Sequence, residues 1–233
     1  MRVLGIVTAR GGSKSITNKN IALLGGRPLL TYTGDAVRAA HLLTRTVLST
    51  DDEQIAEIGL ACGLEVPFMR PAELAGDEVP TLPVLQHVVR ELEASGEYYD
   101  AVLTLQPTSP FRQADDIDGS IELMERTNAD SVISYVEVGG KHPARMKVIE
   151  PDGRVVPAPF THLFEGHRRQ GWPTFYLCEG SIYLTRRDVL MEQNVIQGAD
   201  CRAWIIPEER ACDIDSPFDL FVAEQVLKTR KAN

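Results

Sequence analysis

Cysteine is scarce in this chain: Cys62, Cys178, Cys201 and Cys212 are the only four among 233 residues. None forms a C-x-x-C pair and no histidine cluster stands beside them, which argues against a disulfide framework and a zinc site. Long hydrophobic runs are missing as well. Residues 2 to 9 are too few and too soon interrupted to span a bilayer, and they lack the small-residue cleavage site of a secretory signal. A reduced, cytoplasmic protein with no membrane association is therefore expected. Basic residues are in deficit, 24 Lys and Arg against 33 Asp and Glu, for a formal net charge of −9. Binding a nucleic-acid backbone needs a basic face, so no nucleic-acid partner is expected. Local basic clusters inside an acidic protein suit a small anionic ligand better.

What is present has the balance of a soluble globular chain, with 43% apolar and 24% charged residues. Its length suits one α/β domain with a small excursion. Short apolar runs at Val3 to Val7, Thr46 to Ser49, Glu65 to Phe68, Ala101 to Leu105 and Ser131 to Val136 read as strands. Helical patterns alternate with them at Pro28 to Ala40, Glu53 to Cys62, Leu82 to Ala94 and Ile117 to Glu125. Pro28 suits a first helical position and Gly63 a stop. This alternation predicts βαβ units, hence a mostly parallel sheet with helices on both faces. Ligands of such sheets bind where loops leave the strand C-termini.

From Gly139 to Pro173 the alternation fails. That stretch is rich in Pro, Gly and charge, with a hairpin turn expected at Pro151 to Gly153. GSIYLT, RAWIIP and a helix from Pro217 to about Leu227 resume the core. The expected division is a core of residues 1–138 and 173–233 with residues 139–172 inserted as an arm.

Three segments carry chemistry. ARGGSKSITNKN, residues 9 to 20, follows the first strand. Its glycines let backbone N–H groups approach a phosphate, and Arg10, Lys14 and Lys19 bring positive charge. The plainer reading is a solvated basic loop; placement directly behind a strand favours the phosphate. It matches neither G-x-x-x-x-G-K-[ST] nor G-x-G-x-x-G.

CDIDSPFDL, residues 212 to 220, sets Asp213 and Asp215 two residues apart, which in extended backbone puts both carboxylates on one face. Adjacent ionised carboxylates repel unless a cation lies between them, and Mg²⁺ with phosphate oxygens suits that place. Capping of the following helix is the competing reading, and it leaves Asp213 idle.

QPTSPFR, residues 106 to 112, holds Gln106, Thr108 and Ser109 between two prolines, either to position hydrogen bonds or simply to connect strand and helix. STDDE, residues 49 to 53, reads best as a helix N-cap. The five histidines share no metal spacing; His142 and His167 lie in the excursion, within reach of a substrate.

In order and spacing these segments resemble the CMP-sialic acid synthetase family, whose opening pattern A-R-x-x-S-K-x-[IL]-x-x-K-N stands here as ARGGSKSITNKN. STDDEQIAE, RPAELAGD, LQPTSPFR, RRQGWPTFYLCEGSIYL and DIDSPFDL follow, so the resemblance runs from residue 3 to about 227. It implies a Rossmann-like, nucleotide-diphospho-sugar transferase-like fold. It also implies a cytidylyltransferase that joins CTP to a nine-carbon 2-keto sugar acid, giving the CMP-sugar and pyrophosphate. Arg10 and Lys19 would face the CTP phosphates, with Gly11, Gly12, Ser13, Lys14 and Asn20 around them and Arg70 and Val79 by the base and ribose. Gln106, Arg169, Gln170 and Tyr183 would meet the sugar acid. Asp213 and Asp215 would bind Mg²⁺ or Mn²⁺. The excursion would be a dimerisation arm, with Phe160, Phe164 and Trp172 as apolar anchors of a homodimer or higher assembly.

The chain departs from the family pattern in places. Ser15 and Thr17 stand where Gly and Pro are commoner, DEVPT follows RPAELAG, and Glu179 replaces a frequent Asn. A synthetase for the eight-carbon acid KDO would lack this opening loop. A glycosyltransferase would need mid-chain metal carboxylates, for which only Asp51 and Asp52 could serve. A non-catalytic nucleotide-binding module would not need both Asp213 and Asp215.

Overall fold

The computed structural model describes residues 1–159, 161 and 171–232. In chain order the described elements are β1 (Val3–Thr8), β2 (Leu23–Leu24), β3 (Arg27–Pro28), α1 (Leu29–Ala39), β4 (Arg45–Ser49), α2 (Glu53–Ala61), α3 (Thr81–Ala94) and β5 (Ala101–Leu105). They continue with α4 (Ala114–Thr127), β6 (Ser131–Glu137), β7 (Lys147–Ile149), β8 (Val155–Pro157), β9 (Tyr176–Arg186), α5 (Arg187–Met191), β10 (Cys201–Ile205) and α6 (Pro217–Ala232).

Six strands form the main sheet in the order β10-β6-β9-β5-β1-β4. β1 lies between β4 and β5 and pairs with both in parallel, and β10 pairs with β6 in parallel. Buried side chains cover both faces. Leu30 of α1, Ile55 of α2 and Ile117 and Ile121 of α4 pack on one side with Val3 and Val7. Leu85, Val88 and Leu92 of α3 and Leu190 of α5 pack on the other with Leu4 and Ile6. The mostly parallel α/β architecture with helices on both faces is therefore as expected.

β9 is the exception that shapes the site. It runs antiparallel to both neighbours, pairing Thr104 with Tyr183 and Glu137 with Tyr176. Its first half therefore lies at the carboxyl ends of β5 and β6, beside the loops that leave β1 and β5.

Some expectations shift. Glu65 to Phe68 contributes one bridge, Val47 to Glu65, rather than a strand. Leu48 N–H donates to the Glu65 carbonyl at 2.7 Å, and Pro67 then removes the donor that a continuing ladder needs. Pro28 belongs to the small β2–β3 pair and α1 starts one residue later. The turn in the excursion forms as expected: β7 and β8 are antiparallel, with Gly153 at φ 85°.

A third cluster brings the C-terminal segment to the opening loop. Ile214 is fully buried with Leu24, Leu29, Phe111 and Ala223 of α6, and its N–H donates to the Thr108 carbonyl at 2.9 Å.

Candidate active site

A cavity of about 430 Å³ opens at the carboxyl edge of the sheet. Three separate segments line it: Arg10 to Asn20 behind β1, Gln106 to Thr108 behind β5, and Asp213 to Asp215 before α6. Tyr183 of β9 and Arg70 and Val79 from the segment before α3 complete the wall.

The opening loop is held by its backbone. Gly11 N–H donates to Asp51 Oδ1 at 3.0 Å, and buried Asn20 donates from Nδ2 to the Arg10 carbonyl at 2.9 Å. A Cβ at Gly11 would lie 3.0 Å from Asp52 Oδ2, so a larger residue there would press on the Asp52 side chain. Asp52 itself caps α2, accepting from Ile55 N–H at 3.0 Å, as STDDE suggested. Gly12 is exposed, at φ 65°, and neither glycine lines the cavity, whereas Ser13 and Lys14 do.

Each loop cation faces a carboxylate. Arg10 and Lys14 both contact Asp77, at 2.5 Å each, and together they hold its carboxyl below the usual range. Lys19 meets Asp215 at 2.7 Å. Asp77 ends RPAELAGD and opens DEVPT, and sequence reasoning gave it no role; nothing local signals two cationic partners over 60 residues away.

Asp213 and Asp215 both line the cavity, with Ile214 buried in the core between them. Neither carboxylate caps α6. Ser216 and Asp219 do so reciprocally, Ser216 N–H donating to Asp219 Oδ2 at 2.7 Å and Asp219 N–H to Ser216 Oγ at 3.3 Å. Asp213 opens onto the cavity and keeps solvent exposure. The surrounding walls raise its pKa, Asp215 adds to the rise, and a hydrogen bond from Thr108 and the charge of Lys19 oppose it.

Arg70 is buried and bound to Ser49, Nε to Oγ at 3.0 Å and Nη2 to the carbonyl at 2.6 Å; burial lowers its pKa, with Asp51 opposing. Tyr183 shares a 3.1 Å contact with Cys178 Sγ, and its pKa is raised chiefly by burial. Ser109 Oγ is buried without a hydrogen-bond partner among the described residues.

Arg112, the last residue of QPTSPFR, escaped sequence reasoning although its motif did not. It is buried, and its guanidinium donates to the carbonyls of Ser181 at 2.6 Å and Gln106 at 2.7 Å. Glu179 is buried too, and turns inward to accept from Ser181 N–H and Oγ.

Arg169, Gln170, Phe160, Phe164 and His167 lie outside the described residues. His142 does not line the cavity. Its Nδ1 accepts from Ala144 N–H at 3.1 Å, and its ring stacks on Trp172 at 4.8 Å between centroids. Trp172 is half-buried, with its ring against His142.

The cytidylyltransferase family model matches residues 4–149. CMP-N,N'-diacetyllegionaminic acid synthase of Legionella pneumophila is 28% identical over 229 residues, covering 98% of this chain and 97% of that protein. N-acylneuraminate cytidylyltransferase A of Danio rerio is 32% identical over 225 residues, which are 96% of this chain and 50% of that longer protein. A solved structure of CMP:2-keto-3-deoxy-manno-octonic acid synthetase complexed with CTP shares the fold. Its TM-score is 0.73 over 99% of this chain and 100% of that one, at 16% identity. The family match spans more than half of the sequence, including β1, the opening loop and QPTSPFR, and so the chain belongs to the cytidylyltransferase family.

Proposed function

We propose that this nucleotidyltransferase joins CTP to a nine-carbon 2-keto sugar acid, of the sialic or legionaminic and pseudaminic type, giving the CMP-sugar and pyrophosphate. One observation carries the reading: three loop cations and two C-terminal carboxylates, from opposite ends of the chain, share one cavity at the carboxyl edge of the sheet. Similarity along nearly the whole length to the legionaminic acid synthase supports it.

The anomeric hydroxyl oxygen bonds to the α-phosphorus, the bond to the bridging oxygen breaks, and pyrophosphate leaves with that electron pair while the hydroxyl proton is released. Positioning and charge neutralisation carry most of the rate in such transfers. Arg10, Lys14 and Lys19 balance charge on the departing pyrophosphate. Asn20 fixes the Arg10 carbonyl and, with the Gly11 tether, the shape of the loop around CTP. Arg70 and Val79 border the base and ribose. Gln106 and Tyr183 orient the acid, the family pattern assigns Arg169 to its carboxylate, and Gln170 is placed beside the sugar acid.

Asp213 and Asp215 suit a divalent cation, Mg²⁺ or Mn²⁺. Among the described residues no cluster of three or more His, Cys, Asp or Glu could hold a metal. A cation on this pair would therefore draw further ligands from phosphate and water. Bound there, it would neutralise phosphate charge.

The remaining assignments are a homodimer, by the arm and by exposed apolar residues at the start of β9, and the cytoplasm, by four free cysteines. No helix among the described residues is long and apolar enough to cross a membrane.

A pyrophosphate-release assay with CTP and a panel of keto-sugar acids tests the function. Release with nine-carbon acids supports it, preference for the eight-carbon acid KDO moves the substrate class, and release with none removes the enzyme reading.

A further inference from the structure

The pairing of β6 with β9 is interrupted beside the cavity. Ile133 faces Tyr183 and Tyr135 faces Cys178, so β6 contributes Ser134 where β9 contributes Glu179, Gly180, Ser181 and Ile182. Such bulges re-aim a strand and often stand next to active sites. Ser134 fills the break from the β6 side, accepting Ile182 N–H on its Oγ at 2.8 Å.

The protruding residues do not line the cavity themselves; they stand directly behind Gln106 and Asp213, which do, and run into Tyr183 of its wall. Gly180 has φ 90°. A Cβ on it would lie 3.2 Å from Gln106 Oε1, 3.3 Å from Ser109 Oγ and 3.6 Å from Asp213 Oδ2. Three polar groups from two other segments thus converge on the face of this one residue. The path of residues 179–182 sets how much room they have.

Two buried ionisable side chains grip that path. Arg112 takes the Ser181 carbonyl, and through the Gln106 carbonyl ties the bulge to the end of β5. Glu179 takes the Ser181 N–H at 3.0 Å and its hydroxyl at 2.8 Å. The hydrogen-bond acceptors of Arg112 are uncharged, and burial pushes its pKa down to about 10, while the charge of Glu179 is the largest electrostatic influence holding it up. Neutralising Glu179 removes the largest opposite charge acting on buried Arg112 and leaves Asp116 as the lesser one.

We propose that Arg112 and Glu179 are a buried positioning pair, clamping Ser181 from both sides so that the β9 bulge presents Gly180 to Gln106, Ser109 and Asp213. Neither side chain needs to touch substrate. In this arrangement Glu179 neither repels the acid nor reads one of its substituents; it serves the wall from behind. The catalytic consequence rests on the proposed cytidylyl transfer, whereas the clamp does not.

The test compares Glu179→Gln with the charge-balanced Arg112→Met/Glu179→Gln double variant. Glu179→Gln should lower kcat with the sugar acid on the order of 10- to 100-fold, the scale of a small misplacement at a reacting centre. CTP affinity by calorimetry should stay within about twofold, since loop and phosphate contacts lie elsewhere. The double variant removes the buried charge imbalance, so its Tm should recover towards wild type while kcat stays low. Recovery of kcat together with Tm would assign the pair to stability alone and overturn the proposal. So would wild-type kinetics in Glu179→Gln.

Amide hydrogen exchange gives an arm independent of turnover. Exchange at Ser181 and Ile182 should quicken in both variants, with β1 and β5 unchanged. If wild type forms no CMP-sugar but this local change appears, the clamp stands and the function falls. If exchange at the bulge does not change, the clamp itself is refuted.

Discussion

Lys19 Nζ lies 2.7 Å from Asp215 Oδ1, joining two residues 196 positions apart in the chain. The opening loop and the C-terminal segment thereby form one electrostatic unit. Ile214 secures it from below, buried with Leu24 and Leu29. An anchored apolar residue thus alternates with two cavity-facing carboxylates, and the capping carboxylate of Asp219 also accepts the Asp215 N–H at 3.2 Å, so core and cap together hold the segment.

Removing one charge of that unit should cost catalysis more than folding. Asp215 is largely exposed, so Asp215→Asn should leave Tm nearly unchanged. It should lower kcat by about 100-fold or more, the usual loss when a main charge stabiliser goes. EDTA should abolish wild-type turnover. Full activity in EDTA, or an Asp215→Asn enzyme as fast as wild type, would refute the metal assignment.

Asp77 holds Arg10 and Lys14, the two cations the proposed reading assigns to the triphosphate. An incoming nucleotide must compete with it. Asp77→Asn should tighten CTP binding by about two- to fivefold, the scale of a partly exposed ion pair. Calorimetry at low salt reads this directly. An unchanged or weaker affinity would mean that Asp77 supports the loop instead of opposing the ligand.

The α6 cap predicts a stability effect with a defined pH dependence. Ser216→Ala should cost about 1 kcal/mol in denaturant unfolding at neutral pH. The Ser216 hydroxyl and N–H hold the Asp219 carboxyl below its ordinary range. A depressed carboxyl contributes fully above its unfolded value of about 4, and that contribution is lost as pH falls through the folded value. The gap between wild type and Ser216→Ala should therefore narrow at acid pH. A constant gap would show that the cap does not depend on the charge.

Much of this was legible in the sequence. Strands β1, β4, β5 and β6 are short apolar runs whose neighbours are helices, and burial on both faces leaves few alternatives. The two-residue spacing of Asp213 and Asp215 needed only an extended backbone to share a face. What stayed hidden depends on distant contacts. Nothing local in YLCEGSIYL states that β9 runs antiparallel or that it bulges opposite Ser134. Arg112 reads as a loop arginine until Ser181 is brought to it. Glu65 to Phe68 misled because apolar, β-branched composition was weighed above the missing donor of Pro67.

The proposed dimer would cover the exposed Tyr176 and Leu177 of β9 and Ile205 of β10. Sedimentation at micromolar concentration should give about twice the chain mass of 25.7 kDa. A clean monomer would rule out the dimer.

The most direct measurement follows phosphorus. Incubated with CTP, Mg²⁺ and a nine-carbon 2-keto sugar acid, the protein should give two products in a ³¹P NMR spectrum. Pyrophosphate should appear together with a single phosphodiester resonance whose phosphorus couples to the anomeric carbon of the sugar. Conversion of CTP to CDP and phosphate, or an unchanged CTP spectrum with every acid tried, would contradict cytidylyl transfer outright.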